Sequence, residues 1–387
     1  MSSSVSSGKE NRRGVALTDA QRTAWLRLIR SDNVGPATFR DLINHFGSAD
    51  AALAAIPEMS RRGGAARAIR VATVQQAEQE LEIAARFNAR LVGIGEPDYP
   101  FALRQIDAAP PLLAMKGDFA AANRPSVGIV GSRNASISGA KIAAMIARDC
   151  GRAGYTITSG LARGIDTAAH RASLDTGTIA VLAGGLDQPY PPENIPLLGD
   201  ITGGVGLCVS EMPFGWEPRA RDFPRRNRVI AGISLGVVVV EAAQRSGSLI
   251  TARLAGDFGR LVFAVPGSPL DPRCHGTNDL LKNGGIVTTS SQDVLEALAP
   301  ISQLDLFNGS TIAEPGEDGA SPLMHPLDDS DRMRITNALG PTPVEIDDII
   351  RHTEIPAATV YLVLLELDLA GRLHRHPGGL VSLLMQN

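Results

Sequence analysis

The stretch Val127–His170 reads VGIVGSRNASISGAKIAAMIARDCGRAGYTITSGLARGIDTAAH. A short β-branched run stops at Gly131-Ser132-Arg133, and a segment of helical spacing follows. A second run, YTITS, stops at Gly160 and leads through LARG into another helical segment. Short apolar runs ended by glycine or serine and alternating with helical segments are the pattern of parallel strands joined by helices. The alternation continues through TIAVLAGGLD, GLCVSEMP, LGVVVVEAA, RLVFAVPGS and GIVTT. It predicts an α/β fold with a Rossmann-like, doubly wound, mainly parallel sheet carrying helices on both faces. Ligands of such sheets bind outside the carboxyl ends of the strands, so the glycine-rich strand ends share one rim.

Three turns on that rim are candidate phosphate cradles. In the first, Gly131, Ser132 and Arg133 precede a helix expected to start at Ser138 or Gly139. Glycine allows close approach of an anion, helix N-terminal amides donate, and arginine adds charge. The turn matches neither a Walker A loop nor the GxGxxG fingerprint. The second turn offers Ser159, Gly160, Arg163 and Gly164, with Asp166 expected to N-cap the next helix and His170 one turn further on. Asp166 and His170 read either as a cap with a packed histidine or as an acid/base pair. The third turn offers Ser246, Gly247 and Ser248.

Next to these turns lies RARDFPRRNR, which places Arg219, Arg221, Arg225, Arg226 and Arg228 in ten residues together with Phe223 and Asn227. In a chain of net charge −4 this density marks an anion-binding surface. Only four of the 37 basic residues are lysines (Lys9, Lys116, Lys141 and Lys282), so guanidinium forks carry nearly all the positive charge. A GC-rich genome gives the same bias. Glu211 and Glu241 each close a strand on the rim, and are read as orienting arginines rather than as catalytic carboxylates. No nucleophile with an adjacent base and no metal-ligand spacing is visible. No catalytic residue, metal or cofactor is therefore assigned, and the protein is read as a non-enzyme.

The 387 residues divide into five segments. Residues 1–17 are expected to be a disordered tail and 18–90 a helical domain of SAM or helix-hairpin-helix type, broken at Val34-Gly35-Pro36. The extended Rossmann-like domain spans 91–300. Residues 301–331, with seven acidic and no basic residues, are expected to be a linker. Residues 332–387 have helix-turn-helix spacing followed by a two-stranded wing, a winged-helix outline. Its second helix carries Glu366 and Asp368 and no basic residue, which favours a protein-interaction role over duplex reading. Three widely spaced cysteines give no disulfide framework, and no apolar run reaches membrane-spanning length, so a cytoplasmic protein is expected.

The ordered series YPFALRQIDAAPPLLAMKG, VGIVGSR, SGLARGIDTAAH, AVLAGGLDQPYPPEN, SEMPFG, FPRRNRVIAG, VVVVEAAQRSGSLITA, VFAVPGS and GTNDLL resembles the DNA-processing protein A (DprA/Smf) family. That resemblance implies a homodimer that binds single-stranded DNA and loads the RecA recombinase during natural transformation, with DNA contacts at Arg133 and along the arginine run with Phe223. Two departures stand out. PLLGDITGGVGL is richer in glycine than the charged helix expected there, and arginine replaces most lysine. The alternative is a Rossmann-like nucleotide hydrolase of phosphoribohydrolase type, but Pro266-Gly267 runs into SPLDPRCHGTND and the PGGxGTxxE motif of such enzymes is absent.

Overall fold

Thr18 opens the first helix with a capping box: its side chain accepts from Gln21 N while the Gln21 side chain accepts from Thr18 N. Helix α1 (Asp19–Arg30) buries Trp25, Leu26 and Leu28. Gly35 caps and Pro36 starts α2 (Pro36–Phe46), the position where a missing N–H costs nothing. Two more helices, α3 (Ala49–Arg62) and α4 (Val74–Arg86), complete this region. The computed structural model describes residues 15–303 and 328–384. The expected tail up to residue 14 and linker residues 304–327 lie outside them.

The described residues form two compact units, one of residues 15–17 and 80–303, the other of residues 18–79 and 328–384. In the first unit, β1 (Arg90–Gly93), α5 (Phe101–Arg104) and β2 (Leu112–Gly117) precede β3 (Ser126–Gly131), α6 (Ile137–Arg152), β4 (Thr156–Ser159) and α7 (Ile165–Ala172). The chain continues through β5 (Thr178–Val181), α8 (Ile195–Gly203), β6 (Leu207–Ser210), α9 (Asp222–Ile233), β7 (Gly236–Val240) and α10 (Gly247–Asp257). It closes with β8 (Leu261–Ala264), α11 (His275–Lys282), β9 (Ile286–Val287) and α12 (Ser291–Gln303). The sheet order is β1-β2-β6-β5-β4-β3-β7-β8-β9. The seven strands from β6 to β9 are parallel and are the seven apolar runs read from the sequence; β2 joins β6 antiparallel and β1 joins β2 antiparallel. PLLGDITGGVGL does form a helix, α8, despite its glycines.

The strand period distributes β7 between two cores. Val237 and Val239 belong to one, Val238 and Val240 to the other, and β3 likewise gives Val130 to the first and Val127 and Ile129 to the second. Both faces of the sheet are thus buried, as a parallel sheet under two helix layers requires. Winding reverses at β3, where Gly131 pairs with Val240 and the chain has gone out to β6 before returning to β7. A Cβ on Gly131 would clash with the Val240 carbonyl oxygen, so that glycine is required by strand spacing.

In the second unit, α13 (Asp329–Ala338), β10 (Val344–Glu345), α14 (Ile346–Thr353), α15 (Ala357–Leu369), β11 (Leu373–Arg375) and β12 (Leu380–Leu383) form a winged helix with sheet order β10-β12-β11. Ile335, Ile349, Val360, Val363, Leu364, Leu367 and Val381 are its core. The outward side of α15 packs along α3 and α2. There the Leu369 carbonyl, one of the orphan acceptors at a helix end, receives Asn33 Nδ2 (2.9 Å) and Ser60 Oγ (3.3 Å). Thr38 Oγ1 donates to Asp368 (2.9 Å), and Arg375 bridges Asp368 (2.7 Å) and Asp41 (2.9 Å). Glu366, 1 % exposed, pairs with Arg332 at 2.8 Å. The two acidic residues that argue in sequence against duplex reading are therefore internal ion-pair partners.

The helices meet closely at Gly63, where a Cβ would collide with the Glu366 carbonyl. Since backbone must move to admit it, Gly63→Ala is expected to destabilise this unit by about 2 kcal/mol or more, read as a lower urea midpoint of the full chain with the other unit's transition unmoved.

Candidate nucleic-acid interface

The first turn after β3 takes up the amides of Ser132, Asn134 and Ser136 internally. Ser136, two residues before the expected start, caps α6 by accepting from Gly139 N (2.9 Å). Ser136 N donates to Glu241 (2.9 Å), and its hydroxyl donates to the same carboxylate. Glu241 has left-handed backbone (φ 53°) and holds the start of this helix; its oxygens bond Ser136, where the sequence suggested an arginine of the run. Ser132 N donates to Val240 O (3.4 Å), and Ser132 O accepts from Ile165 N (3.2 Å).

The turn after β4 is closed in the same way. Gly164, not Asp166, is the N-cap of α7, because the Asp166 side chain turns back to accept from Gly160 N (3.0 Å) and Ala162 N (3.3 Å). Between them Leu161, also left-handed (φ 59°), donates to His170 Nε2 at 3.3 Å. Thr178 Oγ1 donates to Ile157 O, so His170 Nδ1–H donates to Thr178 and the ring stays neutral. Burial, then the Arg226 charge, lowers His170 to about 3. Burial raises Asp166, against the opposing pull of Arg226 and its hydrogen bonds. Asn194 Nδ2 fixes the turn from outside by donating to Leu161 O (2.8 Å). Ser159 Oγ is likewise spent, on Ile129 O (2.6 Å). These groups act as structure: the amides of Gly160, Leu161 and Ala162 are taken up inside the turn.

The arginine run divides into three groups. Glu211, 7 % exposed, binds Arg225 Nε (2.7 Å) and Arg228 Nη2 (2.7 Å), and Arg228 also donates to the Ala108 carbonyl. Arg219 lies over the Trp216 ring at 5.0 Å, its backbone held with Trp216 Nε1 by buried Asp222, and Arg221 is exposed. Arg226, 6 % exposed, makes no hydrogen bond or ion pair among the described residues, and its Nε is buried and unsatisfied. Burial lowers it to about 10; Asp166 opposes that shift and Arg133 adds to it.

Arg226 looks into a pocket walled by Arg133, Arg163, Tyr190 and Phe223, with Gly160, Ala162 and Pro191 completing the lining. A side chain on Gly160 would occupy the place of the Arg226 guanidinium, so this glycine makes room for an arginine. The Phe223 ring is engaged by Arg133 (5.4 Å), Arg226 (5.9 Å) and, in a T-shaped pair, Tyr190 (5.9 Å), and Tyr190 is itself 46 % exposed. Of the predicted site residues, Arg133, Gly160, Arg163, Phe223 and Arg226 meet here. Gly131, Ser132, Ser159 and Gly164 shape the turns beneath. Ser246, Gly247 and Ser248 start α10 elsewhere on the rim, with Ser246 as the cap and Asn227 tied to Gly247 O (3.1 Å). Sequence reasoning passed over Ala162 and Pro191; Pro191 follows β5, whose carboxyl end reaches the same rim.

Residues 90–299 match the family described as DNA recombination-mediator protein A, residues 19–83 a DprA-like N-terminal HHH domain and residues 319–379 a DprA winged helix domain. The chain is 33 % identical over 394 residues to Protein Smf of Synechocystis sp., covering 94 % of this chain and 98 % of that one. The X-ray structure of DNA processing protein A from Streptococcus pneumoniae aligns with TM-score 0.60 at 34 % identity, over 73 % of this chain and 98 % of that one. A structure described as showing the single-stranded DNA binding mode of DNA processing protein A from Helicobacter pylori aligns with TM-score 0.50 at 27 % identity, over 55 % of this chain and 96 % of that one.

His170 gives the fold an acid sensitivity. Its pKa is lower folded than unfolded, so below the ordinary histidine value near 6.5 the unfolded chain binds a proton that the folded chain refuses, and stability falls with pH. Between pH 7 and pH 5 the loss from this residue is about 2 kcal/mol. Urea unfolding at both pH values should show a smaller loss in His170→Gln; equal losses would exclude this assignment.

Proposed function

Because the chain belongs to the DNA recombination-mediator protein A family, we propose that it binds single-stranded DNA along this arginine-bearing rim. As a homodimer it hands the strand to a RecA-type recombinase during recombination of incoming DNA. The observation that carries the binding reading is Arg226: a guanidinium 6 % exposed and without a hydrogen-bond partner, opening into a pocket shared with Arg133, Arg163 and Tyr190. A buried charge left unpaired is destabilising, and a fold keeps one where an incoming anion completes it. The dimer and the recombinase step rest on family membership.

A binding role is further supported by what the rim's titratable groups do. Asp166 and His170 are acceptors for turn amides, Glu211 is an arginine clamp and Glu241 a helix clamp, so these four are engaged in structure rather than poised as the base of a nucleotide hydrolase. Contacts run chiefly to phosphate through arginine, with one exposed aromatic, and this predicts little sequence preference.

Three to five guanidiniums face the strand: Arg133, Arg163 and Arg226, with exposed Arg219 and Arg221 beside them. The log of affinity should then fall with log salt at a slope of about −2 to −3.5 for a single strand. Arg133→Ala and Arg226→Met should each weaken binding about tenfold or more. Arg226→Met should change the melting temperature little, since the removal of an unsatisfied buried charge is offset by the loss of the cation that opposes the burial of Asp166. A sharp drop in melting temperature with unchanged strand titrations would identify Arg226 as purely structural.

A further inference from the structure

The outer face of α6 carries a line of cations that no carboxylate answers. Lys141, Arg148 and Arg152 are all exposed, and at 3.6 residues per turn they fall within about 40° of one another around the helix. The opposite side, with Ala143, Ile146, Ala147 and Cys150, is buried in the core beneath it. None of the three cations makes an ion pair among the described residues. Exposed cations on other helices are answered one turn away: Arg61 and Arg62 by Glu58, Lys282 by Asp279, Arg351 by Asp348. The one acidic residue of α6, Asp149, lies beside Arg148 and three residues before Arg152, but its carboxylate accepts from Ser291 Oγ of α12 (2.7 Å).

The line starts where the arginine-bearing rim ends. Arg133, which walls the pocket, lies in the turn that leads into α6, and Lys141 is in the second turn of that helix. From Lys141 to Arg152 the helix rises about 16 Å. At the stacked spacing of one strand that is the length of about five nucleotides. Three like charges on one face repel each other, and nothing in the fold relieves them. A polyanion that has entered the neighbouring pocket relieves them as it passes.

We propose that a single strand leaving the rim pocket runs along the outer face of α6 with its phosphates on Lys141, Arg148 and Arg152. This rests on the single-strand binding reading and adds to it a second contact surface, on a helix face away from the ends of the parallel strands.

The test uses the full-length protein and oligothymidylates of about 6 and about 12 nucleotides, titrated by fluorescence anisotropy over a range of salt concentrations. The shorter strand fills the rim, and only the longer one reaches α6. In the wild-type protein the plot of log affinity against log salt should be steeper for the longer strand by about 2, from about 0.7 for each of three phosphates. The combined variant Lys141→Ala, Arg148→Ala, Arg152→Ala keeps good helix formers at exposed positions. It should give the two lengths equal slopes and leave binding of the shorter strand unchanged. Arg61→Ala, Arg62→Ala, Lys282→Ala removes the same charge from answered cations and should keep the wild-type difference. Equal slopes for the two lengths in the wild-type protein, or an undiminished difference in the α6 variant, overturn this inference alone. The same result follows if the α6 variant weakens both lengths equally, or if the control variant loses the difference too, since the line is then a general attraction and not a track. A duplex of about 12 base pairs that depends on the three cations as strongly as the strand does would mark a duplex surface and likewise overturn it. If the wild-type protein binds neither strand at low salt, the proposed function falls with it.

Discussion

A guanidinium withdrawn from water and left without a hydrogen-bonded partner organises the rim of the sheet. Arg226 stands on α9 above the ends of β3 and β4, in the space left by Gly160. The chain spends several sequence-distant groups on keeping that space defined. Asp166 and His170 tie the turn from below, Asn194 from outside, and Leu161 accepts a left-handed backbone between them. Such conformations persist where the surroundings over-determine them, and they cluster at binding sites.

The same division between support and contact runs through the arginine run. Glu211 withdraws Arg225 Nε and Arg228 into a charge-assisted clamp, so those residues fix α9 against the strand end, and Arg226 is carried by the helix they anchor. Arg219 and Arg221 belong to the loop before the helix, where Asp222 and Trp216 set the backbone. Ten residues that look uniform in charge thus serve as loop, anchor and probe.

In the other unit a comparable satisfaction problem joins segments more than three hundred residues apart in sequence. The carboxyl end of α15 exposes orphan acceptors, and the helical region supplies Asn33 and Ser60 to meet them. Asp368, raised by burial, is held by Arg375 and Thr38. The carboxyl-terminal half of the helix that would read a groove is committed to this contact.

The strand-helix alternation from Val127 onward was legible because apolar period and glycine stops are local properties, and all seven parallel strands carry them. So were the break at Val34-Gly35-Pro36 and the helix-turn-helix outline around Pro356. Two short antiparallel strands, β1 and β2, were not: RLVG and LLAMKG gain strand character only by pairing with each other and with β6. The arginine cluster and its place on the rim were visible as composition and order, and Gly160, Arg133 and Phe223 as motif. Which arginine faces the pocket was not visible, because that depends on a carboxylate after β6 taking Arg225 and Arg228 and on a glycine after β4 leaving room for Arg226. Sequence determined the elements and the excess of guanidinium at one edge; tertiary structure alone decided which charges are neutralised internally and which one is buried without a hydrogen-bonded partner, since pairing is a property of distance between chain-remote groups.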